Sequence, residues 1–175
     1  VMSDAYITCP YSQNNINTLP SILKRHGYYS AFFHGGYNGS MGFDKFCEHA
    51  GYDNYYGMNE SGDLVDYDGK WGIFDEPFLQ FMGKQMNTFP QPFHATVFTI
   101  SSHHPYTIPE QHHGKFKDGK IPILKPVMYA DYALRCFFDS ISKYDWFDNT
   151  LFVISADHTA QPIEQENGNA YGMYK

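Results

Sequence analysis

The feature that most constrains this chain is an octet near its end, LFVISADH (Leu151–His158), in which a β-prone apolar run stops on an aspartate followed by a histidine. Leu151, Phe152, Val153 and Ile154 suit a short strand buried on both faces, the kind that lies inside a parallel sheet. Asp157 and His158 would then stand at its carboxyl end, where open α/β sheets place their ligand crevices. An acid beside an imidazole suits a divalent metal bound through oxygen and nitrogen. Taken alone, the pair reads equally well as an aspartate capping a turn next to a surface histidine.

The same pattern occurs twice upstream. Tyr28–Phe33 (YYSAFF) reads as a strand that runs into His34-Gly35-Gly36, where two glycines allow a tight turn and a close backbone approach. Phe93–Ile100 (FHATVFTI) reads as a second strand and ends in Ser101-Ser102-His103-His104-Pro105, with the proline stopping its extension. Three strand ends therefore carry His34, His103 with His104, and Asp157 with His158. Parallel strands put their carboxyl ends on one edge, so these groups would converge on one crevice. The competing reading is that they are unrelated surface residues in a chain with nine histidines.

Helices are expected between these strands. Thr18 can cap a helix whose first turn holds Pro20, whose apolar face holds Ile22 and Leu23, and which Gly27 stops. Met41–Ala50 has Phe43, Phe46 and Cys47 on one face and ends at Gly51. Asp75 and Glu76 before Pro77 mark a helix start running to about Thr88, since acids favour the positive end of the helix dipole. Pro126–Lys143 places Ala130, Ala133, Leu134, Phe137 and Ile141 on one stripe. Residues 52–68, rich in Gly, Asn, Asp and Tyr, are given no regular structure, and residues 106–124 form a long loop suited to a lid or a cleft wall. The order helix, strand, helix, helix, strand, helix, strand predicts one α/β domain, a three-layer sandwich with a mainly parallel sheet covered by helices.

Composition narrows the function. A net charge of −7 with 12 Lys and Arg and no basic run argues against a nucleic-acid partner. Cys9, Cys47 and Cys136 make no CxxC or CxxH pattern and read as small buried hydrophobes. No apolar run is long enough for a transmembrane helix, and the start lacks the regions of a signal peptide. The chain has no G-x-S-x-G, P-loop, H-E-x-x-H or EF-hand pattern. Asp63, Asp66 and Asp68 alternate as calcium ligands can, without the twelve-residue loop, and His112-His113 reads as a solvated pair in a polar loop. The absence of an initiating methionine and the abrupt end at Lys175 predict a piece of a longer protein.

FFHGGYNGSM, WGIFDE, FTISSHHPY and YADYALRCFF…WFDNTLFVISADH together resemble the sulfatase-like domain of the lipoteichoic acid synthase family, within the alkaline phosphatase superfamily. The resemblance runs from about Asn17 to the end. It implies an alkaline phosphatase-like fold that is incomplete here: residues 1–175 would be a single partial catalytic domain without its nucleophile segment and its C-terminal part. By motif, Asp157 and His158 match a D-H pair that holds a divalent metal, Mn²⁺ or Zn²⁺. His103 matches the catalytic histidine of an N-H-x-P element that contacts the substrate, with Ser102 in place of the asparagine, and His34 matches the substrate-binding histidine of an H-G turn. The family's threonine nucleophile has no counterpart in this chain.

The resemblance also implies a metal-dependent phosphoryl or sulfuryl ester transferase or hydrolase. Its substrates would be cell-envelope esters, including lipid-linked ones such as phosphoglycerol or phosphoethanolamine lipids. The parent would be anchored by membrane segments absent here and act on the extracytoplasmic side, periplasmic or outer face, and these 175 residues alone would be inactive. The family's polymer synthases carry tryptophan and arginine after the H-G turn; Tyr37–Phe43 here contains no arginine. A sulfatase or phosphodiesterase of soluble esters, and a non-catalytic module binding envelope polymers, are the alternatives.

Overall fold

A computed structural model describes residues 6–62, 66–119 and 121–157. Its helices and strands begin with α1 (Leu19–Lys24), capped by the Thr18 hydroxyl, which accepts the Ser21 amide at 3.2 Å, with Pro20 in the first turn. The chain turns through Gly27, at φ +79°, into β1 (Tyr29–His34). A tight turn with Met41 at φ +52° leads to α2 (Phe43–Ala50), which Gly51 closes in the left-handed conformation. Met41 is why this helix starts two residues later than its apolar spacing suggests.

Next come β2 (Asn54–Tyr56), the one-turn α3 (Met58–Ser61), α4 (Asp75–Met86), β3 (Phe93–Phe98) and α5 (Leu124–Ile141). The three strands are parallel in the order β2-β1-β3, with Phe33 opposite Tyr56 and His34 opposite Phe98. This is the expected α/β class with a parallel sheet. Alternation along β1 sends Ala31 and Phe33 into the main core with Phe78, Leu79 and Met82 of α4 and Phe137 and Ile141 of α5. On the other face Phe32 and His34 meet Phe43 of α2, at ring-centroid distances of 6.0 and 4.9 Å. Cys9 and Cys47 are buried free thiols and Cys136 is half-buried; burial pushes the Cys47 thiol up to about 12.

Two elements depart from the sequence reading. Residues 52–68 contain β2 and α3. The strand is held where Asp53 accepts the Ser30 amide at 2.9 Å and pairs with Lys24 at 2.6 Å, so its position comes from β1 and α1 rather than from a pattern of its own. The strand expected at Leu151–Ile154 does not form among the described residues. Leu151, Val153 and Ile154 are 88%, 80% and 70% exposed, and only Phe152 of the run packs against the core, 5.1 Å from Phe138 and 5.3 Å from Phe147. An apolar run becomes a strand only beside a partner whose backbone groups match its own, and this run has no such neighbour among the described residues.

Candidate functional site

The register of β1 and β3 brings their carboxyl ends to one edge, and the site is built there from loops that fasten on each other. His34 ends β1 with 6% of its surface exposed, packed on Phe43 and Phe98, its Nδ1 3.4 Å from the Tyr55 hydroxyl. Burial lowers its pKa, because the charged imidazolium would lose its hydration. The backbone then passes Gly35 and Gly36 against the Trp71-Gly72 strip. Ile73 donates its amide to the Gly35 carbonyl at 2.9 Å, Met58 donates to that of Gly36 at 3.0 Å, and Gly36 and Gly72 form an antiparallel bridge. A Cβ on Gly72 would lie 2.2 Å from the Gly35 oxygen, so the glycine is required by close approach.

The strip is fixed from its other side by Asp68. One oxygen, Oδ1, accepts the amides of Lys70, Trp71 and Gly72 at 2.8, 2.7 and 3.0 Å. That role occupies an oxygen of one of the three alternating acids considered for calcium; Asp63 lies outside the described residues. Trp71 is thereby presented to the segment beyond β3. Its indole N–H donates to the His104 carbonyl at 2.6 Å, and its ring stands edge-on to His103 at 4.4 Å between centroids.

His103 itself is exposed, in a turn closed by its amide donating to the Ile100 carbonyl at 3.0 Å. Its Nδ1 is 2.9 Å from the His104 carbonyl oxygen. Beneath the turn lies Asp75, 3% exposed at the start of α4, whose Oδ1 accepts the amides of Ile100 at 2.9 Å and Ser101 at 3.2 Å. Burial raises the pKa of the Asp75 carboxyl, against the opposing effect of these amides, and its Oδ2 has no hydrogen-bond partner among the described residues. The loop after His104 walls a cleft of about 680 Å³ lined by Tyr67, Phe74, Tyr106, Ile108 and Lys125, as its length and prolines suggest.

The structure thus places His34 and His103 at the same sheet edge. Asp157 sits beyond the exposed apolar run, and His158 lies outside the described residues. Among the described residues no three His, Cys, Asp or Glu side chains are grouped as a metal would need. The donors described here do not make up a metal site. His112, expected to be solvated, is half-buried with its ring 5.2 Å from that of Tyr132, and His113 donates Nε2–H to the Ile108 carbonyl at 3.1 Å. Trp71 and Asp75 are the residues sequence reasoning did not single out as parts of a site. Their signal was the WGIFDE segment, in which the acid reads only as a helix start.

A sequence model of the sulfatase family matches residues 1–174. Among curated proteins, the lipoteichoic acid synthase-like protein YvgJ of Bacillus subtilis strain 168 is 28% identical over 153 residues, covering 84% of this chain and 25% of that protein. A lipoteichoic acid synthase of Staphylococcus aureus strain USA300 is 26% identical, covering 90% of this chain and 25% of that protein. The chain spans about a quarter of the length of these relatives. Among solved structures, an alkaline phosphatase superfamily protein from Vibrio parahaemolyticus aligns with a TM-score of 0.73 and 29% identity, over 85% of this chain and 37% of that one. The lipoteichoic acid synthase LtaP from Listeria monocytogenes aligns at 0.66 with 23% identity, over 80% and 36% of the two chains, a likeness of fold.

Proposed function

Because the chain belongs to the sulfatase family, with the alkaline phosphatase superfamily fold, we propose that it is the central part of a catalytic domain that transfers or hydrolyses phosphate or sulfate esters. The supporting observation is the edge shared by His34 and His103, with His103 solvent-exposed and its turn braced by Trp71 and Asp75. His103 contacts the ester, and His34 lines the wall of the crevice. The nucleophile belongs to residues beyond these 175, and the chain alone is inactive.

Asp157 and His158 contribute two ligands to a divalent metal, Mn²⁺ or Zn²⁺, in the longer protein. Such an ion supplies positive charge where negative charge develops on the ester. The substrates are cell-envelope esters such as phosphoglycerol or phosphoethanolamine lipids, met on the extracytoplasmic side of a membrane that anchors the parent. No described helix is long and apolar enough to cross one.

One local observation favours the second reading, a hydrolase of soluble esters. After the His34-Gly35 turn, Asn38 donates its amide to both oxygens of Glu60, at 3.1 and 3.0 Å. A carboxylate here, with no arginine between Tyr37 and Phe43, is a poor seat for an anionic glycerol phosphate chain.

The test is turnover of an aryl phosphate and an aryl sulfate by the full-length protein carrying these residues, with and without a phosphoglycerol acceptor lipid. His103→Ala and His158→Ala are each expected to abolish it. Full activity in His103→Ala removes that residue from the site. Calorimetry is expected to show weak Mn²⁺ or Zn²⁺ binding to the 175-residue chain. Tight stoichiometric binding that survives the combined Asp157→Ala and His158→Ala changes overturns the metal assignment.

A further inference from the structure

The His104 carbonyl oxygen is the acceptor for two ring N–H groups. Trp71 donates Nε1–H to it at 2.6 Å, and the His103 Nδ1 lies 2.9 Å away. A carbonyl oxygen only accepts, so Nδ1 of His103 must carry the proton in this contact. The Trp71 ring meanwhile stands edge-on to the imidazole at 4.4 Å, which limits rotation about the His103 side-chain bonds. Trp71 is itself held by the Asp68 carboxylate at its amide and by the Gly36–Gly72 bridge next to it. The hold on His103 therefore traces back through the strip to the Gly35-Gly36 turn that follows His34.

We propose that Trp71 is a positioning residue for His103, holding its imidazole in the Nδ1–H form so that Nε2 is the nitrogen offered to the ester. This rests on the assignment of His103 to the substrate. In the neutral ring Nε2 carries a lone pair and accepts a proton or a hydrogen bond from a hydroxyl group. In the imidazolium, Nε2 donates to an anionic ester oxygen while Nδ1 keeps its bond to His104. In either state Nδ1 is engaged by the His104 carbonyl and Nε2 is the nitrogen left for the ester. Trp71 acts twice, by anchoring the His104 carbonyl that Nδ1 needs and by flanking the ring.

The direct test is the histidine tautomer read by ¹⁵N NMR in the full chain, for the unaltered protein, Trp71→Phe and Trp71→Leu. The unaltered protein is expected to show His103 mainly as Nδ1–H when neutral. Trp71→Phe keeps a ring but removes the donor, and is expected to shift the balance several-fold toward Nε2–H, with Trp71→Leu shifting it further. Unchanged amide resonances for Phe33 and Phe98 would show that the sheet is intact. A tautomer balance unmoved by Trp71→Phe overturns the proposal. So does an indole N–H of Trp71 that exchanges in the unaltered protein as fast as in a free peptide, a measurement that needs no variant.

In the full-length enzyme Trp71→Phe is expected to lower kcat by roughly tenfold to a hundredfold, the scale of a misplaced catalytic group, with a smaller change in KM. An unchanged kcat in Trp71→Phe, where His103→Ala is inactive, also overturns the proposal. If His103→Ala keeps full turnover while Trp71→Phe still moves the tautomer, it is the assignment of His103 to the substrate that fails, not the hold of Trp71 on the ring.

Discussion

Asp75 and Ser101 hold each other reciprocally: the Asp75 amide donates to the Ser101 hydroxyl at 2.9 Å, and the Ser101 amide donates to the Asp75 carboxylate at 3.2 Å. Both residues are buried, and the Ile100 amide joins them at 2.9 Å. The pair ties the start of α4 to the segment leaving β3, two residues before His103. The imidazole is therefore carried by a turn with a fixed base.

Asp75→Ala leaves two buried amides without an acceptor and is expected to lower stability by about 2 kcal/mol in urea denaturation. Asp75→Asn keeps the accepting oxygen and is expected to lose less. Equal stability of the alanine variant and the unaltered chain would contradict the clamp. The pH dependence has a definite sign. Burial raises the folded pKa above the ordinary 3.8, so the folded state binds the proton more tightly than the unfolded chain. The contribution is fully present below 3.8 and is lost as pH rises through the raised value. Asp75→Asn should remove that slope.

His34 and His94 give the opposite slope. Burial lowers both below the ordinary 6.5, so the unfolded chain binds protons more readily and stability falls as pH drops below that value. Unfolding midpoints measured between about pH 7 and about pH 5 should decline, and less steeply in His34→Phe. A decline equally steep in His34→Phe would show that the His34 ring is not buried in its neutral form.

Gly72→Ala would place a methyl group 2.2 Å from the Gly35 oxygen, a backbone atom that cannot step aside without opening the His34-Gly35-Gly36 turn. Gly114→Ala meets nothing within 4 Å and serves as the control. The first is expected to destabilise by about 3 kcal/mol and the second by less than about 0.5 kcal/mol, compared by thermal unfolding. Similar values for the two would refute the close approach of the two loops.

Gly83→Ala tests the contact between α4 and α5. Alanine favours a helix over glycine by about 1 kcal/mol, but its Cβ would sit 2.8 Å from the Cγ2 of Ile141, a fully buried and β-branched side chain. Overpacking is expected to win, with a net loss of about 1 kcal/mol. A stabilised variant would mean that the helices separate at little cost.

Much of the fold was legible in the residues. The spacing of Ala133, Phe137 and Ile141 predicts a buried stripe on α5, and all three are buried. β1 runs into His34 ahead of its two glycines, and β3 forms over Phe93–Phe98, two residues short of the expected end at Ile100. β2 has no signature in the sequence, because three residues carry too little pattern and its place comes from pairing with β1. LFVIS was the reverse case, a clear apolar pattern without a strand among the described residues.

The α/β class and the family are legible in the residues alone, because periodicity and short motifs are local properties of a chain. Tertiary structure alone decided how His103 is held. The Trp71 indole reaches a carbonyl 33 positions away and Asp75 an amide 25 positions away, contacts that exist only once α4 and the end of β3 are packed together. Tertiary structure also decided the state of the octet. Apolarity is written in the sequence of LFVI, but burial requires a surface to cover it, and Leu151, Val153 and Ile154 stand exposed.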